Sequence, residues 1–160
     1  MSEPERHSTA PVRVFTQRFS STRRGARLAR RLALLQLHDW GIPHRTARSV
    51  AAEQVLAELA ANAITHGRVA GRDFEVRLTL TGGGAVLRIE VADARGDRRP
   101  EIRVGDGVSG YGMRLVDAYA DAWGVTDRVI GKTVWAELGA PLSSPALPSP
   151  HGDPLALLRP

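Results

Sequence analysis

Glu58, Asn62 and His66 fall four residues apart in the run Glu58-Leu59-Ala60-Ala61-Asn62-Ala63-Ile64-Thr65-His66-Gly67. On a helix that spacing stacks the three side chains on one face, each about 6 Å above the last along the axis. The rest of the segment is mostly Ala, Leu, Val and Ile, and a helix that is apolar nearly all round is normally buried. A buried carboxylate and a buried amide need partners. A cleft holding a metal ion and a polar ligand would supply them, with Glu58 and Asn62 reaching in from the helix wall. The ladder also has a purely structural explanation: Glu58 pairs with an arginine, Asn62 caps a turn, and His66 closes the helix before Gly67. Helix pattern alone favours the structural explanation, so the segments downstream have to decide.

Those segments are arranged as follows. Val12, Val14, Phe15 and Phe19, with Arg13 and Gln17 interleaved, predict a first strand over about 12–19. Ser20, Ser21 or Thr22 offers an N-cap to a helix whose apolar pattern runs from Ala26 to Trp40 and stops at Gly41 and Pro43. The polar ladder belongs to a second helix over about 46–66. Two alternating runs, Phe74–Thr81 and Ala85–Ala92, joined by Gly82-Gly83-Gly84, predict a hairpin. An irregular stretch rich in Gly, Asp and Arg covers 93–109, and a third helix begins near Gly110–Gly112. Strands near 123–129 and 133–138, turning at Gly131, close the domain. Hairpins with helices between them predict an α+β, two-layer sandwich: a mixed, mostly antiparallel sheet covered by helices on one face. The domain spans 12–140, between a disordered leader (1–11) and a Pro/Ser-rich disordered tail (141–160).

Composition narrows the function. With 160 residues, 42% hydrophobic and 24% charged, the chain is expected to form one globular domain. It has no cysteine, so thiolate metal sites, thiol nucleophiles and disulfides are excluded. The polar N-terminus lacks an apolar secretory core, and no stretch is long enough to span a bilayer. Cytoplasmic residence and no membrane partner are the expectation. The net charge of +5 is carried almost wholly by arginine, Lys132 being the lone lysine. Arg23, Arg24, Arg27, Arg30 and Arg31 form a basic side on the first helix. Binding to nucleic acid is a weaker alternative: aromatics are only 5% and do not alternate with basic residues as on a single-strand platform.

Three segments in this order resemble the ATP-binding domain of histidine kinases, gyrase, Hsp90 and MutL, the Bergerat or GHKL fold. The resemblance is strongest to the bacterial anti-sigma-factor serine/threonine kinases and their single-domain relatives. Glu58, Asn62 and His66-Gly67 resemble its N box. Glu90-Val91-Ala92-Asp93-Ala94-Arg95-Gly96 resembles the first glycine box, and Ser109-Gly110-Tyr111-Gly112-Met113-Arg114-Leu115-Val116 the second. Gly131-Lys132-Thr133-Val134-Trp135-Ala136-Glu137-Leu138 is similar to the closing strand. The likeness covers about Val12 to Ala140.

The resemblance implies a role for each residue. Asp93 accepts a hydrogen bond from the exocyclic amine of adenine, and Thr133 supports that contact through water. Asn62 ligates Mg²⁺, an ion that keeps several waters and takes few protein ligands. Gly96, Gly110 and Gly112 let backbone approach the phosphates at a helix N-terminus. Glu58 is the general base of phosphoryl transfer. His66 is expected to pack or cap. The usual first box is Asp-x-Gly-x-Gly, whereas Arg95 and Asp97 stand here at the glycine positions. The function implied is a Mg-ATP-dependent, anti-sigma-type serine/threonine protein kinase that phosphorylates a small antagonist protein. Its partners would be ATP/ADP, a sigma factor, an anti-anti-sigma antagonist and a second copy of itself. The altered first box favours the alternative, a non-catalytic module whose nucleotide state gates partner binding.

Overall fold

The computed structural model describes residues 11–94 and 111–140. The expected leader up to residue 10, the segment holding Arg95, Gly96, Asp97 and Gly110, and the expected tail lie outside the described residues.

The described chain runs β1 (Arg13–Phe19), α1 (Arg23–Asp39), α2 (Ala47–Thr65), β2 (Phe74–Thr81), β3 (Val86–Asp93), α3 (Tyr111–Tyr119), β4 (Ala122–Asp127) and β5 (Lys132–Gly139). Local chemistry sets the boundaries. Of the three cap candidates before α1, Thr22 is the one used: its hydroxyl accepts from the Gly25 N–H at 3.0 Å, so the helix begins earlier than its apolar pattern suggests. Thr46 caps α2 in the same way through the Ser49 N–H at 3.2 Å. Between β2 and β3, Gly82, Gly83 and Gly84 take φ of +63°, +66° and +100° in a single 3₁₀ turn, a conformation that only glycine adopts at little cost.

The five strands form one sheet in the order β1-β2-β3-β5-β4. Every pairing among them is antiparallel, so the expected α+β two-layer architecture is present without the parallel pairs a mixed sheet would carry. Strand alternation sorts the faces. Phe74, Val76, Leu78 and Leu80 of β2, Leu87, Ile89 and Val91 of β3, and Val134, Ala136 and Leu138 of β5 all point into the core. There they meet Ala29, Ala33 and Leu37 of α1, a row from Ala52 to Ala63 on α2, and Met113 and Val116 of α3. The other face is polar, with Arg88 reaching Glu137 at 2.7 Å and lying 4.2 Å over the Trp135 ring.

Helix α2 is the spine of the helical layer, in contact with α1, α3, β3 and β5. Small side chains such as Ala52, Ala60 and Ala63 on its buried face allow neighbouring elements to approach closely. Its C-terminal end meets the end of β3 and the start of β5 around one cavity.

Candidate functional site

That cavity is lined by Leu59, Asn62, Ala63 and His66 from the last turns of α2, Val91 and Asp93 from β3, and Lys132 and Val134 from β5. Its volume is about 10 Å³, room for roughly one water, so any larger occupant must part its walls. Asn62 and Asp93, predicted from separate segments, therefore face one space.

Asp93 is the last residue of β3 and is 5% exposed. Strand parity places it inward, in step with Val91 and Ile89. Its cross-strand partner is Lys132, 3% exposed, whose Nζ lies 2.9 Å from Oδ2 and 3.1 Å from Oδ1. Two glycines press against the same residue. A Cβ on Gly67 would overlap the Asp93 carboxylate, and one on Gly131, at φ +82°, would overlap the Asp93 carbonyl oxygen. Gly67 of the N box and Gly131 of the closing turn thus hold the aspartate by close backbone approach.

Asn62 donates through Nδ2 to the Met113 sulfur at 3.2 Å. This contact fastens the first turn of α3 beside the ladder, and Gly112 lies in that same turn. The N-terminus of α3, with its amides and positive dipole end, is thereby set next to Asn62. One helical turn back, Glu58 is half-buried on α2. Burial raises its pKa above the ordinary carboxylate value. A carboxylate tuned upward in this way is better matched to proton transfer near neutrality. His66 is the C-cap of α2, its N–H donating to the Asn62 carbonyl at 2.9 Å, and it also lines the cavity.

Thr133 is not brought to this space. It pairs with Ala92 and Thr126, one residue out of step with Lys132 and Val134, so its hydroxyl belongs to the opposite face of the sheet. The residue facing inward is Lys132, to which the resemblance assigned no role. The alternation Lys132, Val134, Ala136, Leu138 carried that signal, since the lysine shares parity with the buried apolar set. Gly96 and Gly110 lie outside the described residues.

The donor set suits a magnesium nucleotide. The Asn62 amide oxygen facing the cavity is a hard donor of the kind Mg²⁺ accepts, an ion that takes few protein ligands and retains water. Among the described residues, no three His, Cys or acidic side chains cluster as a metal cage.

A two-layer α+β domain in which an acidic strand end and a helix Asn face one cavity, with a helix N-terminus tied to that Asn, is a nucleotide-binding fold of the histidine kinase type. A profile of the histidine kinase-like ATPase domain matches residues 7–138, and the chain belongs to that family. Among solved structures, the RsbU and RsbW domains of Rv1364c from Mycobacterium tuberculosis superpose with a TM-score of 0.61 at 18% identity. The match covers 81% of this chain and 33% of that one, so this chain spans about a third of the longer protein. At that identity the likeness is one of fold. No curated protein sequence matches. Membership of an ATPase-domain family implies ATP as the ligand.

Proposed function

We propose that this protein is a Mg-ATP-dependent serine/threonine protein kinase of the anti-sigma type that phosphorylates a small antagonist protein. The observation that carries the reading is that Asn62 on α2 and Asp93 on β3 line the same cavity, with the start of α3 tied to Asn62 through Met113. Asp93 accepts from the exocyclic amine of adenine at one end. Asn62 and the α3 N-terminus receive the phosphates at the other, the amide oxygen serving as a ligand for magnesium. When bound, that ion neutralises charge developing on the transferred phosphoryl oxygens.

Glu58, one turn from Asn62, takes the proton from the acceptor serine or threonine hydroxyl. The hydroxyl oxygen then forms the new bond to the γ-phosphorus as the bond to ADP breaks. The raised pKa of Glu58 fits a base that must both accept and release a proton. A sigma factor, an anti-anti-sigma antagonist and a second copy of the chain are the protein partners this reading requires, and its setting is cytoplasmic. Among the described residues, no helix is long and apolar enough to cross a membrane.

The deciding experiment incubates the protein and Glu58→Gln with labelled Mg-ATP and proteins encoded by neighbouring genes. Wild type is expected to label one of them on serine or threonine. Glu58→Gln should lose at least about a hundredfold in transfer, the usual contribution of a general base, while binding ADP as wild type does. If wild type labels nothing yet its partner affinity changes with ATP, the protein is instead the non-catalytic, nucleotide-gated module.

A further inference from the structure

Helix α1 carries Arg23, Arg24, Arg27, Arg30 and Arg31 in its N-terminal half and no acidic residue in its first turn. Both features work against the helix. Cations near a helix N-terminus oppose its dipole. Arg27 also has like charges three and four residues away on either side, the spacing at which helix side chains meet and repel. Of the five, Arg30 alone has an ion-pair partner among the described residues, Glu53 of α2 at 3.7 Å. Gly25, Ala29, Ala33 and Leu37 bury the other side of the helix, so packing needs none of these arginines. They border an open groove of about 690 Å³. Leu28 and Leu34 line it with Arg24, Arg27 and Arg31, and the Arg30–Glu53 pair joins it from the side of α2. Leu28 is 48% exposed, and Leu35, seven residues on, is 49% exposed. Arg24, Leu28, Arg31 and Leu35 thus form one stripe in which charge and apolar surface alternate. The groove shares no lining residue with the cavity around Asn62 and Asp93.

We infer that this groove docks an acidic amphipathic helix of a partner protein, its apolar side chains on Leu28 and Leu34 and its carboxylates against Arg24, Arg27 and Arg31. The inference deepens the proposed function and rests on that reading only in requiring a protein partner. Charge complementarity sets the sign of the occupant, since guanidinium groups without acidic neighbours attract and orient an anionic surface. The leucines set its class. A nucleic-acid backbone would neutralise the arginines but leave the leucines without a counterpart. Among the described residues, no aromatic side chain lines the groove to stack a base. A helix with apolar residues at i, i+3, i+4 and i+7 and carboxylates beside them matches a stripe of this kind. Arginine suits such a seat, because its stem lies along apolar surface while its fork takes a carboxylate bidentately. From Arg24 to Leu35 the stripe runs about 16 Å, roughly three turns of a docked helix.

The test follows fluorescence anisotropy of a labelled synthetic peptide titrated with the full chain. The peptide has about 16 residues, with Leu recurring at helical period among Glu; its control has the same composition with Leu and Glu alternating at period two. Wild type should bind the helical-period peptide at least about tenfold more tightly than the control. Leu28→Gln should abolish that preference. Arg27→Gln combined with Arg31→Gln should weaken the peptide about ten- to a hundredfold and flatten its salt dependence. Arg77→Gln removes a charge from an exposed position on the sheet face turned away from the helices and should change neither. Because like charges burden α1, Arg27→Gln should melt no lower than wild type, a readout that a structural role would reverse. Equal binding of the two peptides would overturn the inference, as would a preference that survives in Leu28→Gln or a marked drop in the melting temperature of Arg27→Gln. Tighter binding of a mixed-sequence duplex DNA than of either peptide, lost with the arginines but not with Leu28, would assign the face to nucleic acid instead. No nucleotide is needed in this titration. A chain that binds the peptide but not ADP loses the nucleotide reading and keeps the groove, and one that binds ADP but neither peptide loses the groove alone.

Discussion

Under the proposed mechanism, catalysis and folding make opposite demands on the Glu58 side chain. Burial raises its pKa, so the folded chain holds the carboxyl proton more tightly than the unfolded chain does. A group of that kind contributes stability below its unfolded pKa, near 4.5, and loses that contribution as pH rises through the higher folded value. At neutral pH its charge therefore burdens the fold. Glu58→Gln should melt above wild type at pH 7, and the gap should close as the pH is lowered past 4.5. Thermal melts across that range check it; a variant less stable than wild type at pH 7 would mean that the ionised carboxylate is favourably paired. The same scale explains what the sequence could reveal about the site. The faces of Glu58, Asn62 and Asp93 were legible because helix period and strand parity fix them without knowledge of neighbours. Those of Thr133 and Lys132 were not, because a shift of one residue in a strand exchanges its faces. The likeness to a family's closing strand supplied residue types but not the register against β3 and β4 that decides which of the two looks inward.

Among the elements, α2 has distinct work at its two ends. Its C-terminal turns carry the ladder, while its N-terminal turn is anchored by Arg48. The Arg48 guanidinium donates to the carbonyl of Gly84 in the β2–β3 turn and, at 3.1 Å, to that of Leu138 near the end of β5. Burial lowers its pKa from the ordinary value, with Asp121 opposing the shift, and its Nε is buried without a partner. This clamp ties the helix to a hairpin turn and to a strand end that lie far from it in sequence. Replacing Arg48 by Met removes both bonds and leaves the Gly84 carbonyl without this donor, at about 1–3 kcal/mol if it stays dry. Arg48→Lys should not restore the loss, because one ammonium cannot reproduce the two-pronged reach of the fork. Urea unfolding measures both variants, and ADP affinity should stay at the wild-type value in each, because the clamp is at the far end of α2 from Asp93. Helices and strands were themselves legible from period, caps and the glycine run between β2 and β3. The clamp was not, since nothing local marks Arg48 among so many arginines.

At the scale of the whole molecule, the site is a meeting of ends. The C-terminal ends of α2 and β3 and the N-terminal ends of α3 and β5 converge on one side of the sandwich, and the long middle of each element only packs. Binding there joins both layers of the fold, so a ligand of the native state acts as a cross-brace that the unfolded chain cannot use. At a hundredfold its dissociation constant, such a ligand stabilises by about 2.7 kcal/mol. For a domain of this size that corresponds to a rise in melting temperature of about 5–10 °C. ADP with magnesium should produce it. GDP at the same concentration should fall well short, because in the proposed pose its carbonyl would meet the Asp93 carboxylate. Hydrogen exchange in the same samples should slow most at the C-terminal turns of α2 and at the β3–β5 pairing around Asp93 and Lys132, and least at the turn of Gly82–Gly84. Protection spread evenly over the sheet would place the ligand elsewhere. A melting temperature unmoved by any adenosine phosphate would remove the nucleotide from the account, leaving the buried Asp93–Lys132 pair to be explained by folding alone.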